Sequence, residues 1–265
     1  MKRAARLALT VCLLLLWSGA FAEALWPEPG SVILRDNELS LDASHADQGY
    51  VLASPASANK HRLKLRVVKG KQTLDYDLDS GGSPIVVPLQ LGSGSYEFNL
   101  YINVSGKKYS AGGKVTLDAS LASDDICFLY PNQYVDYDMY TAAVLKSSEL
   151  AGGLSQPRDI YQAITGFMES EFSYDFVRAK KIKAAVLPEI DECYEKRSGI
   201  CQDLSAVMVC MLRAQGVPAK LMIGYADKYY HAWTSTVVGG EEVFFDPTAA
   251  IGALKAKKYT LERYY

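Results

Sequence analysis

The feature that most constrains this chain is a change of hydrophobic period near Ser120. Before it, apolar residues alternate with polar ones or come in short runs broken by turn residues, the pattern of strands. After it they recur at three- and four-residue spacing, and the alternation then returns. A chain with that order folds as strands, then helices, then strands, an α+β arrangement.

In the first half, residues 49–52, 61–68, 73–78, 85–89, 96–102 and 114–117 read as strands. Lys69-Gly70-Lys71, Ser80-Gly81-Gly82, Gly92-Ser93-Gly94 and Ser105-Gly106-Lys107 supply turn chemistry between them. About seven short strands of this kind predict an antiparallel β-sandwich of immunoglobulin-like type over residues 23–120, serving as an accessory domain. His45 and His61 are read as isolated surface histidines. Residues 121–265 form the second domain. Helices are expected over Tyr140–Leu150, from Pro157 through Met168, and over Cys201–Gln215. The last carries Leu204, Val207, Met208, Met211 and Leu212 on one face and stops at Gly216 before Pro218. Strands follow at 221–223, 231–238 and 242–245.

Composition narrows the class. The 265 residues are 49% hydrophobic and 22% charged with a formal net charge of −2, which suits a globular protein and offers no basic surface for nucleic acid. Lys2, Arg3 and Arg6 precede an apolar run from Leu7 to Trp17, and Ala20-Phe21-Ala22 follows. That pattern over residues 1–22 is a cleavable secretory signal, too short to span a bilayer comfortably. An exported protein with no membrane span after cleavage is therefore expected. Export permits disulfides among Cys127, Cys193, Cys201 and Cys210. Cys201 and Cys210 sit on one predicted helix, roughly 13 Å of rise apart, and cannot pair; a Cys127–Cys193 bond is left open. The Asp75, Asp77, Asp79 series lies on a strand without the terminal Glu of a calcium loop, so no metal and no cofactor are expected.

The chemistry is carried by three positions. Ser198-Gly199-Ile200-Cys201 places a thiol at a helix start, where unpaired N–H groups and the positive dipole end favour a thiolate. Such a nucleophile needs a base, and the base an orienting acceptor. His231 opens the strand before Gly239-Gly240, a hairpin signal. A turn centred on these glycines sets Trp233 opposite Asp246 and His231 opposite Thr248. His231 and Asp246 then project from one face within hydrogen-bonding reach, with the face of Ala232, Thr234, Thr236 and Val243 turned away from the site.

These residues also resemble a known family. Gly199-Ile200-Cys201-Gln202-Asp203, the stretch Met211 to Lys220 with Gly224-Tyr225, His231-Ala232-Trp233 and Phe245-Asp246-Pro247-Thr248 are similar to the transglutaminase-like superfamily, over roughly Tyr161 to Thr248. Phe128-Leu129-Tyr130-Pro131-Asn132-Gln133-Tyr134 resembles the exported versions of Gram-positive bacteria. The resemblance implies a papain-like α+β domain with Cys201 as nucleophile, His231 as base and Asp246 as orienting carboxylate. The Cys201 backbone N–H is one oxyanion donor; Gln133 and Tyr174 compete for the second, and both can equally be structural. Trp233 is expected to cover the imidazole and face substrate, or simply to pack. The expected function is attack on peptide or glutamine amide bonds through a Cys thioester, on a peptide or protein substrate that includes cell-wall-associated protein. Two alternatives stand beside it: a cysteine peptidase with water as sole acceptor, and a non-catalytic exported binding protein.

Overall fold

The computed structural model describes residues 24–182 and 186–265, so the expected signal segment lies outside the described residues. The first half forms eight strands: β1 (Ile33–Asp36), β2 (Leu39–Asp42), β3 (Tyr50–Pro55), β4 (Leu63–Lys69), β5 (Gln72–Leu78), β6 (Ile85–Pro88), β7 (Gly94–Ser105) and β8 (Lys108–Ala119). They make two antiparallel four-stranded sheets, ordered β1-β2-β3-β6 and β5-β4-β7-β8. Alternate residues of both meet in one core: Leu63, Leu65 and Val67 with Tyr96, Phe98 and Leu100 from one sheet, Leu39, Leu41, Val51 and Val87 from the other. The count exceeds the expected seven because the β1–β2 hairpin, four residues a side around Asn37 in the left-handed region, is too short for its alternation to register.

The second half continues with α1 (Ala142–Ala151), α2 (Pro157–Glu171), β9 (Ser173–Tyr174), α3 (Phe176–Lys181), α4 (Ile190–Lys196), β10 (Ser198–Gly199), α5 (Cys201–Arg213), β11 (Ala219–Ala226), β12 (Tyr229–Val238), β13 (Glu241–Phe245), α6 (Pro247–Ala250) and β14 (Tyr259–Tyr264). A third antiparallel sheet runs β13-β12-β11-β14, and β9 pairs parallel with β10. Helix α5 is the axis of this half. Every residue from Asp203 to Arg213 is buried, with α1, α2 and α4 on one side and the sheet on the other.

The two halves are fused. The Tyr265 and Tyr134 rings stack at 3.5 Å, Tyr76 of β5 meets both edge-on, and Tyr265 is part of the sandwich core. Gln90 donates to the Tyr264 carbonyl, and the Tyr264 hydroxyl donates to the Gln90 carbonyl at 3.2 Å.

The hairpin between β12 and β13 follows the counted register, from Val238↔Glu241 to Thr234↔Phe245. The ladder ends there, so Trp233 and Asp246 do not pair within it. Pro247 has no N–H to extend a strand and begins α6, for which Asp246 is the N-cap. The expectation about the sheet's faces needs correcting. Helix α5 packs on the face of Ala232 and Thr234, where Thr234 Oγ1 lies 3.7 Å from Met208 Sδ and Ala219, Leu221 and Ala232 join the helix core. Small side chains on that face let the helix axis approach. Among the described residues no helix is long and apolar enough to cross a membrane.

Candidate active site

Each member of the predicted trio is placed by a different local device. Cys201 is the first residue of α5, behind Ile200 in extended conformation. The helix start is locked from below by Asp203, which is fully buried. Its carboxylate accepts from Ile200 N–H at 3.0 Å, from Glu189 N–H at 3.2 Å and from Arg178 Nη1 at 2.5 Å. Burial pushes the Asp203 carboxyl up, against the lowering effect of these donors. Gly199 is required here because a Cβ would come within 2.6 Å of Cys193 Sγ and 2.9 Å of Asp203 Cβ. Arg178 and Asp203 thus fix the backbone that carries the thiol.

His231 sits on β12, 5% exposed, and its Nε2 shares a 2.8 Å hydrogen bond with Asp246 Oδ2. The Cys201 thiol lies near the same ring and lines the same cavity. Burial pulls the imidazole pKa down, but the hydrogen bond to Asp246 and the nearby Cys201 outweigh it and hold His231 at about 9. Asp246 is burdened by burial too, yet its pKa is lowered because its hydrogen bonds exceed that cost. Oδ1 accepts from Thr248 N–H at 2.9 Å and Ala249 N–H at 3.2 Å as a helix cap, while Oδ2 takes His231 and, at 2.7 Å, the Tyr259 hydroxyl. A carboxylate with four donors is held charged and still.

Tyr259 of β14 is the member that sequence reasoning missed. Its ring meets Trp233 edge-on at 5.2 Å and Phe244 at 4.7 Å. Trp233 is 3% exposed and stacks at 6.3 Å against His231, backing the imidazole; the cavity beside the thiol is lined by other residues. Tyr174, on β9 opposite Gly199, lies near Cys201. Burial, then the neighbouring Cys201, push that phenol up to about 12. Gln133 does line the cavity, but its carboxamide is committed to β5: Nε2 donates to Asp77 O at 2.7 Å and Oε1 accepts from Asp77 N–H at 3.0 Å.

The other cysteines among the described residues are of another kind. Cys127, Cys193 and Cys210 are buried and free, so Cys127 and Cys193 form no disulfide. Burial pushes the Cys127 thiol up to about 12 and raises Cys193 and Cys210 as well. Cys201 is the partly exposed one and opens on a cavity of about 880 Å³. A thiol at a helix start, an imidazole and a carboxylate with four donors are therefore brought together at the mouth of a cleft.

Residues 146–247 match the family model of the transglutaminase-like superfamily. That segment contains Cys201 and His231 and reaches one residue past Asp246. Solved structures similar to the chain include a candidate cysteine protease of Cytophaga hutchinsonii, at 16% identity and TM-score 0.41, covering 79% of this chain and 80% of that one. The periplasmic domain of TgpA from Pseudomonas aeruginosa is 15% identical with TM-score 0.39, over 83% of this chain and 96% of the other. Red sea bream transglutaminase is 14% identical with TM-score 0.30, over 75% and 48%. A search of curated proteins returns no match.

Proposed function

We propose that the chain is an exported, cysteine-dependent enzyme of transglutaminase-like type that acts on amide bonds of peptides or proteins. The observation that carries this reading is the Cys201–His231–Asp246 line, with the imidazole raised to about 9 and the carboxylate held by four donors. The imidazole then bears a proton at neutral pH. That proton is the one taken from the Cys201 thiol; the sulfur attacks the amide carbonyl, the S–C bond forms, and His231 passes the proton to the departing nitrogen as the C–N bond breaks. Water or an amine resolves the thioester, with His231 taking the proton from the incoming group. The Cys201 N–H is one donor to the oxyanion, and the adjacent Tyr174 hydroxyl suits the second better than Gln133, whose amide is engaged at Asp77. The basic and apolar pattern of residues 1–22 supports export, the Phe128–Tyr134 stretch supports the Gram-positive type, and the two sheet orders suit an immunoglobulin-like sandwich.

The experiment is active-site labelling followed by acceptor analysis. Iodoacetamide at neutral pH should modify Cys201 in the native protein, and mass spectrometry of a peptide library should show products that change when an amine is added. An amine-dependent mass increase identifies transfer, and conversion of glutamine to glutamate or chain cleavage, with no amine incorporated, identifies hydrolysis. A native Cys201 that reacts no faster than the buried cysteines favours a binding scaffold.

A further inference from the structure

We propose that the acyl donor is an extended stretch of polypeptide that adds to the outer edge of β5, so that the β-sandwich supplies one wall of the substrate cleft. The inference rests on the reading of Cys201, His231 and Asp246 as the reacting groups.

Strand β5 is the outermost of its sheet, so alternate residues turn their N–H and C=O away from β4. The two-residue Gly70-Lys71 turn makes Lys69 and Gln72 a hydrogen-bonded pair, which leaves Thr73, Asp75 and Asp77 facing outward. The side chains confirm that phase. The Gln133 carboxamide exchanges two hydrogen bonds with Asp77, and the Tyr134 hydroxyl donates to Asp75 O at 2.9 Å. A primary carboxamide is a peptide group detached from its chain, so its seat at Asp77 shows that this edge accepts an amide in ladder geometry. Two residues from Asp75, Thr73 offers the same N–H and C=O pair. Among the described residues neither group bonds anything outside the strand pair.

Thr73, Asp75 and Asp77 line the same cavity as Cys201 and His231. A chain laid along this edge therefore runs in the space that opens on the thiol. Gln133 and Tyr134 close the edge beyond Asp75, so the added ladder is short and centred on Thr73. Main-chain pairing of this kind tolerates different side chains but rejects a donor residue without an N–H. The substrate class is thus a flexible or unfolded segment able to become extended, with no proline opposite Thr73.

The test is Thr73→Pro. Proline lacks the outward N–H, suits an edge strand and removes no bond to β4, because Thr73 turns its backbone groups the other way. With a fluorescent decapeptide carrying one central glutamine and no proline, kcat/KM should fall about fivefold to tenfold, the worth of one or two hydrogen bonds. Cys201 alkylation by iodoacetamide should keep its wild-type rate. An unchanged kcat/KM overturns the proposal. If the variant loses Tm or alkylation rate, the wild-type protein decides, using the same peptide N-methylated at one amide at a time. Loss confined to one amide, or to two alternate ones, supports the edge, and uniform tolerance overturns it. The methylated series titrated onto Cys201→Ala by fluorescence anisotropy reads the edge without turnover: a peptide that binds with that signature yet is never transformed by the wild type removes the catalytic reading and leaves the edge standing, and a peptide that does not bind overturns the edge.

Discussion

The two ends of α5 handle buried charge in opposite ways. At the N-terminal end Asp203 is paired with Arg178 and two backbone donors, and the residue two positions before it is the partly exposed Cys201. At the C-terminal end Arg213 is wholly buried, and no Asp or Glu side chain lies within ion-pair distance of it among the described residues. Its guanidinium donates instead to three main-chain oxygens: those of Ala219 at 2.8 Å, Tyr130 at 2.7 Å and Tyr265 at 2.9 Å. Burial lowers the Arg213 pKa, so the charge is held at a cost that the three acceptors offset. One end steadies a thiol while leaving it reachable; the other ties the Tyr130 segment, β11 and the residue after β14 to the same helix. The helix is a strut between the site and the joint of the two halves.

Several substitutions would break or sharpen that contrast. The largest effect is expected at the reactive end, where His231→Ala should lower kcat/KM by about 10³-fold or more with little change in Tm. Asp246→Ala should retain measurable turnover, since the carboxylate orients the imidazole and carries no proton itself. At the tied end the result should be reversed. Arg213→Met strands three buried main-chain oxygens and should cost on the order of 3 kcal/mol in urea denaturation, with no direct effect on Cys201 labelling in the fraction that stays folded. A smaller change is expected for Tyr259→Phe, which removes one donor from Asp246: about fivefold in kcat, with a shifted pH profile and an unchanged KM. Rescue of the profile by nothing but the hydroxyl would separate positioning from packing, because the ring contacts to Trp233 and Phe244 remain.

The smallest effect is the pH dependence of stability. His231 is raised in the folded chain from an ordinary value of 6.5 to about 9, so its contribution is fully present below about 6.5 and is lost as pH rises through about 9. Asp246 runs the other way: its lowered pKa contributes above the ordinary carboxylate range and fades as pH falls below it. Denaturation of wild type and His231→Ala at pH 6 and pH 9.5 should therefore show a stability gap that narrows at the higher pH. A gap that widens there would mean that the imidazole is neutral in the fold.

The reactive end was legible in the sequence and the tied end was not, for reasons of range. A thiol at a helix start, a histidine opening a strand and an aspartate counted across Gly239-Gly240 are local facts, and the hairpin register kept the count intact up to Phe245. The side chains that complete the site come from afar. Tyr259 lies beyond the stretch with motif blocks, on a strand whose burial is too shallow to give a clear alternation. Arg178 meets Asp203 across 25 positions, and nothing in either local pattern predicts the meeting. The face of the sheet that receives α5 also escaped reading: alternation divides residues into two sets, but which set takes the helix depends on the size of Ala219, Ala232 and Thr234 against Met208. Gln133 was legible as a polar residue near the thiol, while its partner Asp77 belongs to the other half of the molecule.

The docking of β14 also sets a timetable for the site. Its Gln90–Tyr264 contact closes a loop of 174 residues, and contacts of such long sequence separation require most of the chain to be in place before they reward it. The hairpin carrying His231 and the helix carrying Cys201 are joined by far shorter loops. During folding the thiol and imidazole can therefore meet before Tyr259 arrives at Asp246, and the fourth donor on that carboxylate is among the last contacts to form. A newly made chain would pass through a stage in which its thiol and imidazole are in place but the Asp246 carboxylate is incompletely held.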